Sequence, residues 1–183
     1  MKIPIVYKTA EEAISIIQSG NRVYVHGSAQ TPVCLLKELA KQSHRLKDVE
    51  LVFISVYGDI EVTKPEYAGS FHVNSLFVSS SVRSAVNEGY ADYVPVFLSE
   101  IPELFKRNIL GIDVAMVQVS PPDKHGYCSL GVSVDIARSA VNTAKHVIAV
   151  LNPNVPRTHG DGLIHSSRFD SVVQSEDPLY EVR

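Results

Sequence analysis

Val49-Glu-Leu-Val-Phe-Ile-Ser55 is a nearly unbroken run of β-branched and aromatic residues. A strand with one wet face alternates apolar and polar side chains, whereas a strand covered on both faces by helices reads as this run does. Ser75-Leu-Phe-Val-Ser79, Asp113-Val-Ala-Met-Val-Gln-Val119, Lys145 to Leu151 and Phe169 to Val173 are further strands of that kind. Arg22-Val-Tyr-Val-His26 is a shorter one, ended by Gly27. Helical patterns fall between them. Thr9-Ala-Glu-Glu12 is a capping box, followed by the apolar stripe Ala13, Ile14, Ile16, Ile17 and a left-handed stop at Gly20. Pro32 suits a first helical position with Thr31 as cap, and Leu35, Leu36, Leu39 and Ala40 form the buried face. A short helix through Val82, Ala85 and Val86 stops near Gly89, and Ser99 caps another containing Leu104 and Phe105. Strands separated by helices predict an α/β fold: an open, mostly parallel sheet flanked by helices, with right-handed crossovers.

Composition narrows the partners. The chain has 183 residues, 45% hydrophobic and 20% charged, which fits one sizeable domain and excludes general disorder. Seventeen Lys and Arg face 20 Asp and Glu, a net charge of −3, and no basic block offers a footprint for nucleic acid. No apolar run is long enough to span a membrane, and Met1-Lys2-Ile3-Pro4 lacks the apolar core of a signal peptide. Cys34 and Cys128 make no disulfide framework, so a soluble protein of the reducing cytoplasm is expected. No internal repeat or low-complexity tract interrupts the pattern. After the last strand, Gln174-Ser-Glu-Asp-Pro-Leu-Tyr-Glu-Val-Arg183 turns polar in the manner of an interdomain linker. The expected boundaries are a domain over 1–174 and the start of a linker over 175–183.

Ligands of open α/β sheets collect beyond the carboxyl ends of strands, where loops meet helix N-termini. Three stretches sit there. In His26-Gly-Ser-Ala-Gln-Thr-Pro32, small residues permit close approach to the backbone and free N–H groups favour a carboxylate; the same residues suit an ordinary tight βα turn. The stretch lacks the second glycine and the lysine of nucleotide-binding loops. Ser120-Pro-Pro-Asp-Lys-His-Gly-Tyr-Cys-Ser-Leu-Gly131 is a rigid loop that either presents Asp123, Lys124, His125 and Tyr127 to a substrate or forms a stiff hairpin with a solvated tip. Ser55-Val-Tyr-Gly-Asp59, with Ser79-Ser-Ser81, places hydroxyls and a glycine at strand ends, where caps are also common. His159, Asp161 and His165 match no familiar metal spacing, and Gly160 and Gly162 point to a turn instead. Cys128-Ser129 lacks the setting of a nucleophile elbow, and Cys34 lies among core leucines. The residues taken alone give a binding scaffold without an obvious catalytic group.

Three long stretches carry a resemblance: Asp113-Val-Ala-Met-Val-Gln-Val-Ser-Pro-Pro-Asp-Lys-His-Gly-Tyr-Cys-Ser-Leu-Gly-Val-Ser-Val-Asp135, Ala85-Val-Asn-Glu-Gly-Tyr-Ala-Asp-Tyr-Val-Pro-Val-Phe-Leu-Ser-Glu-Ile-Pro102 and Asn154-Val-Pro-Arg-Thr-His-Gly-Asp-Gly162. They resemble the acetyl-CoA hydrolase/transferase family, in its 4-hydroxybutyrate and butyrate:acetate CoA-transferase branch, from about Lys8 to the end of the chain. The resemblance implies a class I CoA-transferase-like (NagB/RpiA-like) half, the N-terminal one of two similar α/β halves. It implies coenzyme A as substrate, with no tightly bound cofactor and no metal, and a likeness to homo-oligomeric enzymes acting on acyl-CoA thioesters and short carboxylates. In that family an enzyme glutamate forms the covalent intermediate, from a His-(Ser/Thr)-Glu-Met type motif in the C-terminal half. Here His165-Ser166 is followed by Ser167 and His72 by Val73, so no catalytic residue is expected in this chain. The N-terminal half shapes the acyl or carboxylate pocket, a role carried by position to Gly27, Gln30, Pro32, Tyr57 and Gly58, and further to Ser79 and His125. His26-Gly-Ser-Ala departs from the more glycine-rich form of this loop. Two other functions fit the same residues: hydrolysis of the acyl-CoA, or a stand-alone ligand-binding module.

Overall fold

The computed structural model describes residues 5–181, so Met1–Pro4 and the last two residues of the tail lie outside the described residues. Its elements are α1 (Ala10–Ile14), β1 (Arg22–Val25), α2 (Val33–Lys41), β2 (Val49–Phe53), β3 (Phe71–Ser75), α3 (Arg83–Asn87), β4 (Ala91–Tyr93), α4 (Ile101–Lys106), β5 (Val114–Val119), β6 (Tyr127–Ser129), α5 (Ala137–Thr143), β7 (His146–Leu151), β8 (Leu163–His165) and β9 (Ser171–Gln174). Seven strands form one parallel sheet in the order β4-β3-β2-β1-β5-β7-β9. β6 and β8 pair antiparallel in a small second sheet.

Both faces of the large sheet are covered, which is why its central strands lack alternation. Val23, Val25, Leu51, Phe53 and Met116 pack with Ile14, Ile17, Leu35 and Leu39 on one side. Tyr24, Val52, Ala115, Val117 and Ala149 pack with Phe105, Ala140 and Val141 on the other. The chain runs outward from β1 through β2 and β3 to β4, then returns to lay β5 against the opposite side of β1. The winding therefore reverses between β1 and β5. In such a sheet this is where the loops diverge and open a crevice.

Local signals are partly realised. The Thr9 hydroxyl accepts from the Glu12 amide at 3.1 Å and the Glu12 carboxylate accepts from the Thr9 amide at 2.8 Å, completing the capping box. Gly20 and Gly89 both take positive φ. Thr31 is not the cap of α2: Pro32 occupies that position, and the Thr31 hydroxyl instead donates to the Ser28 carbonyl at 2.8 Å. Ser99 does not cap α4, which starts at Ile101 behind Glu100. The third strand runs Phe71–Ser75 rather than Ser75–Ser79. Phe71, Val73 and Ser75 point inward while His72 is exposed, and beyond Ser75 its hydroxyl donates to the Phe77 carbonyl at 2.7 Å and turns the chain out of the sheet.

Candidate substrate crevice

The crevice is built from polar side chains that the core has swallowed. His26 follows β1 and is fully buried. Its Nδ1 accepts from the Gln118 amide of β5 at 3.2 Å, which puts the proton on Nε2, where it donates to the Ser133 carbonyl at 2.6 Å. Asn152, just past β7, donates to Gln118 Oε1 at 3.3 Å and to the Asp177 carbonyl at 2.8 Å, while its own Oδ1 accepts from the Asn154 amide at 2.9 Å. Each of these groups lies at a strand's carboxyl end. Together they tie the β1, β5 and β7 loops and the tail to one another.

Burial outweighs the hydrogen bond to Ser133 and the charge of Asp135, and holds the His26 imidazole below its ordinary pKa. The unfolded chain titrates this group near the usual value of about 6.5, so the unfolded state binds more protons just below that pH. Stability is therefore complete above about pH 6.5 and falls as the pH drops toward the depressed folded value. Urea titrations of the wild type are expected to show that loss between pH 6.5 and 5.5, and those of His26→Gln to show a weaker one. An identical pH dependence in both would refute the assignment.

The other loops join this centre. The Ser28 amide donates to the Ser55 carbonyl at 2.6 Å, Ser28 and Val56 form an isolated parallel bridge, and the Tyr57 amide donates to the Thr31 hydroxyl at 3.0 Å. Ser79 donates to the Val56 carbonyl at 3.5 Å. Gly27, Gln30, Pro32, Tyr57, Gly58 and Ser79 are thus brought together on one edge. Gly27 does not have positive φ; its missing side chain makes room for the Ser55 carbonyl, with which a Cβ would collide. The close approach expected of a ligand is made here by the protein's own backbone.

Gln30 is different in kind. It has 0% exposure, and neither its Oε1 nor its Nε2 has a hydrogen-bond partner among the described residues. It lies against Gly131, which has φ +68°, so close that a Cβ on Gly131 would come within 2.8 Å of Nε2. A buried amide left without partners costs about 1–3 kcal/mol, so a bound group or an ordered water is needed to complete its bonding.

His125 stands apart. It is exposed at a turn in which Asp123 Oδ1 accepts from the His125 and Tyr127 amides at 2.8 and 2.9 Å and Oδ2 pairs with Arg157 at 2.6 Å. It lines a pocket of about 860 Å³ with Tyr7, Lys124 and His165, to which the loops around Gln30 and Tyr57 contribute no lining residue. The loop folds back on itself as a stiff hairpin with a solvated tip: the Ser120 amide donates to the Ser129 carbonyl and the Asp123 amide to the Tyr127 carbonyl, each at 2.9 Å. His165 Nδ1 is engaged by the Ser167 hydroxyl at 2.8 Å, and the described residues include no group of three or more His, Cys, Asp or Glu arranged to hold a metal. Burial pushes the Cys34 thiol up to about 11 and the Cys128 thiol up to about 12, so both are protonated at neutral pH and neither is a ready nucleophile. None of the described helices is long and apolar enough to cross a membrane.

The His26, Gln118 and Asn152 side chains were not singled out by sequence, although a signal existed: each is a polar residue at the end of an otherwise apolar strand. The comparisons with known proteins agree with the fold. The acetyl-CoA hydrolase/transferase N-terminal domain family matches residues 6–181. A 4-hydroxybutyrate coenzyme A transferase of Clostridium kluyveri is 45% identical over 175 residues, covering 96% of this chain and 41% of the relative. A succinyl-CoA:acetate/propanoyl-CoA:succinate CoA transferase of Fasciola hepatica is 42% identical over 174 residues, covering 94% of this chain and 36% of the relative. The crystal structure of RipA from Yersinia pestis superposes with a TM-score of 0.89 at 32% identity, over 97% of this chain and 44% of that one. The chain spans less than half the length of each of these proteins.

Proposed function

Because the chain belongs to the acetyl-CoA hydrolase/transferase N-terminal domain family, we propose that it is the substrate-holding half of a CoA-transferase. Residues 1–174 form that half, and 175–183 lead toward a C-terminal half that carries the nucleophilic glutamate. The reaction moves CoA from a short acyl-CoA thioester to a carboxylate such as acetate. The glutamate carboxylate attacks the thioester carbonyl, the C–S bond breaks, and CoA leaves as thiolate from an acyl-glutamyl anhydride. The thiolate then attacks the glutamyl carbonyl, releasing the first acid and leaving a glutamyl-CoA thioester, which the acceptor carboxylate reverses into a new acyl-CoA. Coenzyme A is a substrate in this scheme and no tightly bound cofactor is required. A cytoplasmic location and assembly as a homo-oligomer belong to the same proposal.

The observation that carries it is the unpartnered Gln30 amide beside the β1–β5 reversal. Its Nε2 hydrogens suit an acyl or carboxylate oxygen, and its burial keeps competing water away from that oxygen. Gln30→Leu puts an apolar side chain of similar bulk in place of the unsatisfied amide. The variant is expected to be more stable by about 1 kcal/mol and, joined with the C-terminal half, at least tenfold poorer in kcat/KM. Urea unfolding and a CoA-transfer assay read the two effects. Unchanged transfer would mean that Gln30 only fills space.

A further inference from the structure

The tail after β9 does not leave the domain at once. The Ser175 amide donates to the Leu151 carbonyl at 3.0 Å, and the side chain of Asn154 donates to the Glu176 and Asp177 carbonyls at 2.9 and 3.1 Å, beside the bond from Asn152. The Asp177 carboxylate passes near enough to the first turn of α2 to raise the Cys34 thiol further. Tyr180 then reaches the loop after β2, where its phenol lies on Gly58. The segment thus starts at one edge strand, crosses above β7, β5 and β1, and ends over β2.

This crossing gives Gly58 a second reason to be glycine. Its φ is +99°, and a Cβ there would also overlap the Tyr180 hydroxyl. Between the tail and the first loop lies a pocket of about 450 Å³ that is largely open to solvent, bordered by Ala29, Val132, Pro156, Leu179 and Tyr180 among others. Its lining is mostly apolar. The phenol supplies a polar group at the end that adjoins Gly58.

We propose that Tyr180 is a specificity-determining residue, the end wall that limits the acyl chain to a few carbons. This rests on the functional reading above, because it takes the crevice to hold the acyl group of an acyl-CoA. The tail segment is then part of the site, and Asn152 and Asn154 are positioning residues that hold its wall in place. A longer chain would need the space the ring occupies. A short one would pack against its face without displacing it.

Two measurements test this. The chain contains no tryptophan, so Tyr180→Trp supplies a single emitter at the wall. Tyr180 is 37% exposed, its phenol resting on Gly58, so in the 183-residue chain acrylamide quenching of that emission is expected to be weaker than for free indole, and to rise when Asn154→Ala is added. Full quenching in the single variant would overturn the placement. In the chain joined with the C-terminal half, Tyr180→Ala is expected to raise kcat/KM for octanoyl-CoA relative to butyryl-CoA at least tenfold, and Tyr180→Phe to leave the ratio near the wild type. An active wild type whose ratio is unchanged in Tyr180→Ala overturns the assignment. An inactive wild-type assembly overturns the CoA-transferase reading instead, while the quenching result still decides whether the wall is where the structure puts it.

Discussion

Gly27→Val is expected to destabilise the chain by about 3 kcal/mol, the upper end of what overpacking a close-fitting site costs. The methyl groups have nowhere to go, because even a Cβ would meet the Ser55 carbonyl, a backbone atom that cannot swing aside. Relief requires pulling the loops after β1 and β2 apart, which breaks the Ser28–Ser55 hydrogen bond and the Ser28–Val56 bridge. Gly27→Ala has the same collision without the added bulk and falls between the two. A urea midpoint for Gly27→Val equal to the wild type, at unchanged slope, would show that the loop has slack the structure does not display. The sequence points to a ligand as the reason for this glycine; the structure makes the fold itself the first reason.

Asn152→Leu carries the second large effect. Leucine has the branched outline of asparagine, with bulkier methyl groups, but makes none of its bonds. It leaves Gln118 Oε1 and the Asn154 amide without the partner they have here, and the Asp177 carbonyl with the Asn154 side chain alone. Removing one side of a buried hydrogen-bonded pair costs more than the pair contributes, so about 3 kcal/mol is expected, again by urea unfolding. The tail should also become cleavable by protease near Asp177 under native conditions. A variant as stable and as protease-resistant as the wild type would remove Asn152 from the account.

The large sheet was legible because its central strands announce themselves locally. Val49–Phe53, Val114–Val119 and His146–Leu151 are apolar on both faces, and the Thr9–Glu12 box marks the start of a helix within four residues. What escaped has weak local chemistry. β4 is three residues long at the sheet edge with Asp92 and Tyr93 exposed, and β6 and β8 expose Tyr127 and His165, so periodicity has little to register. In the candidate site, the placement of Gly27, Gln30, Tyr57 and Gly58 on loops beyond the strand ends was legible from the sequence. Their buried supports were not, because His26 meets residues 92 and 107 positions away, and only the folded sheet makes them neighbours. His125 lies outside that group of loops: its own loop is rich in reactive side chains, but Asp123 spends its hydrogen bonds on the turn, and His125 lines a different pocket with Tyr7 and His165.

CoA transfer from butyryl-CoA to acetate, assayed with the 183-residue chain alone and with the C-terminal half supplied separately, tests the division of labour most directly. The C-terminal half of the Clostridium kluyveri relative serves as the partner, once a control has established transfer with its own N-terminal half. The chain alone is expected to give no turnover above background, since it supplies a pocket without the covalent nucleophile. Adding the partner half is expected to restore transfer, and to restore it far less with the Gln30→Leu chain. Robust turnover by the purified chain alone, or none with a partner half that is active in its control pairing, would contradict the account.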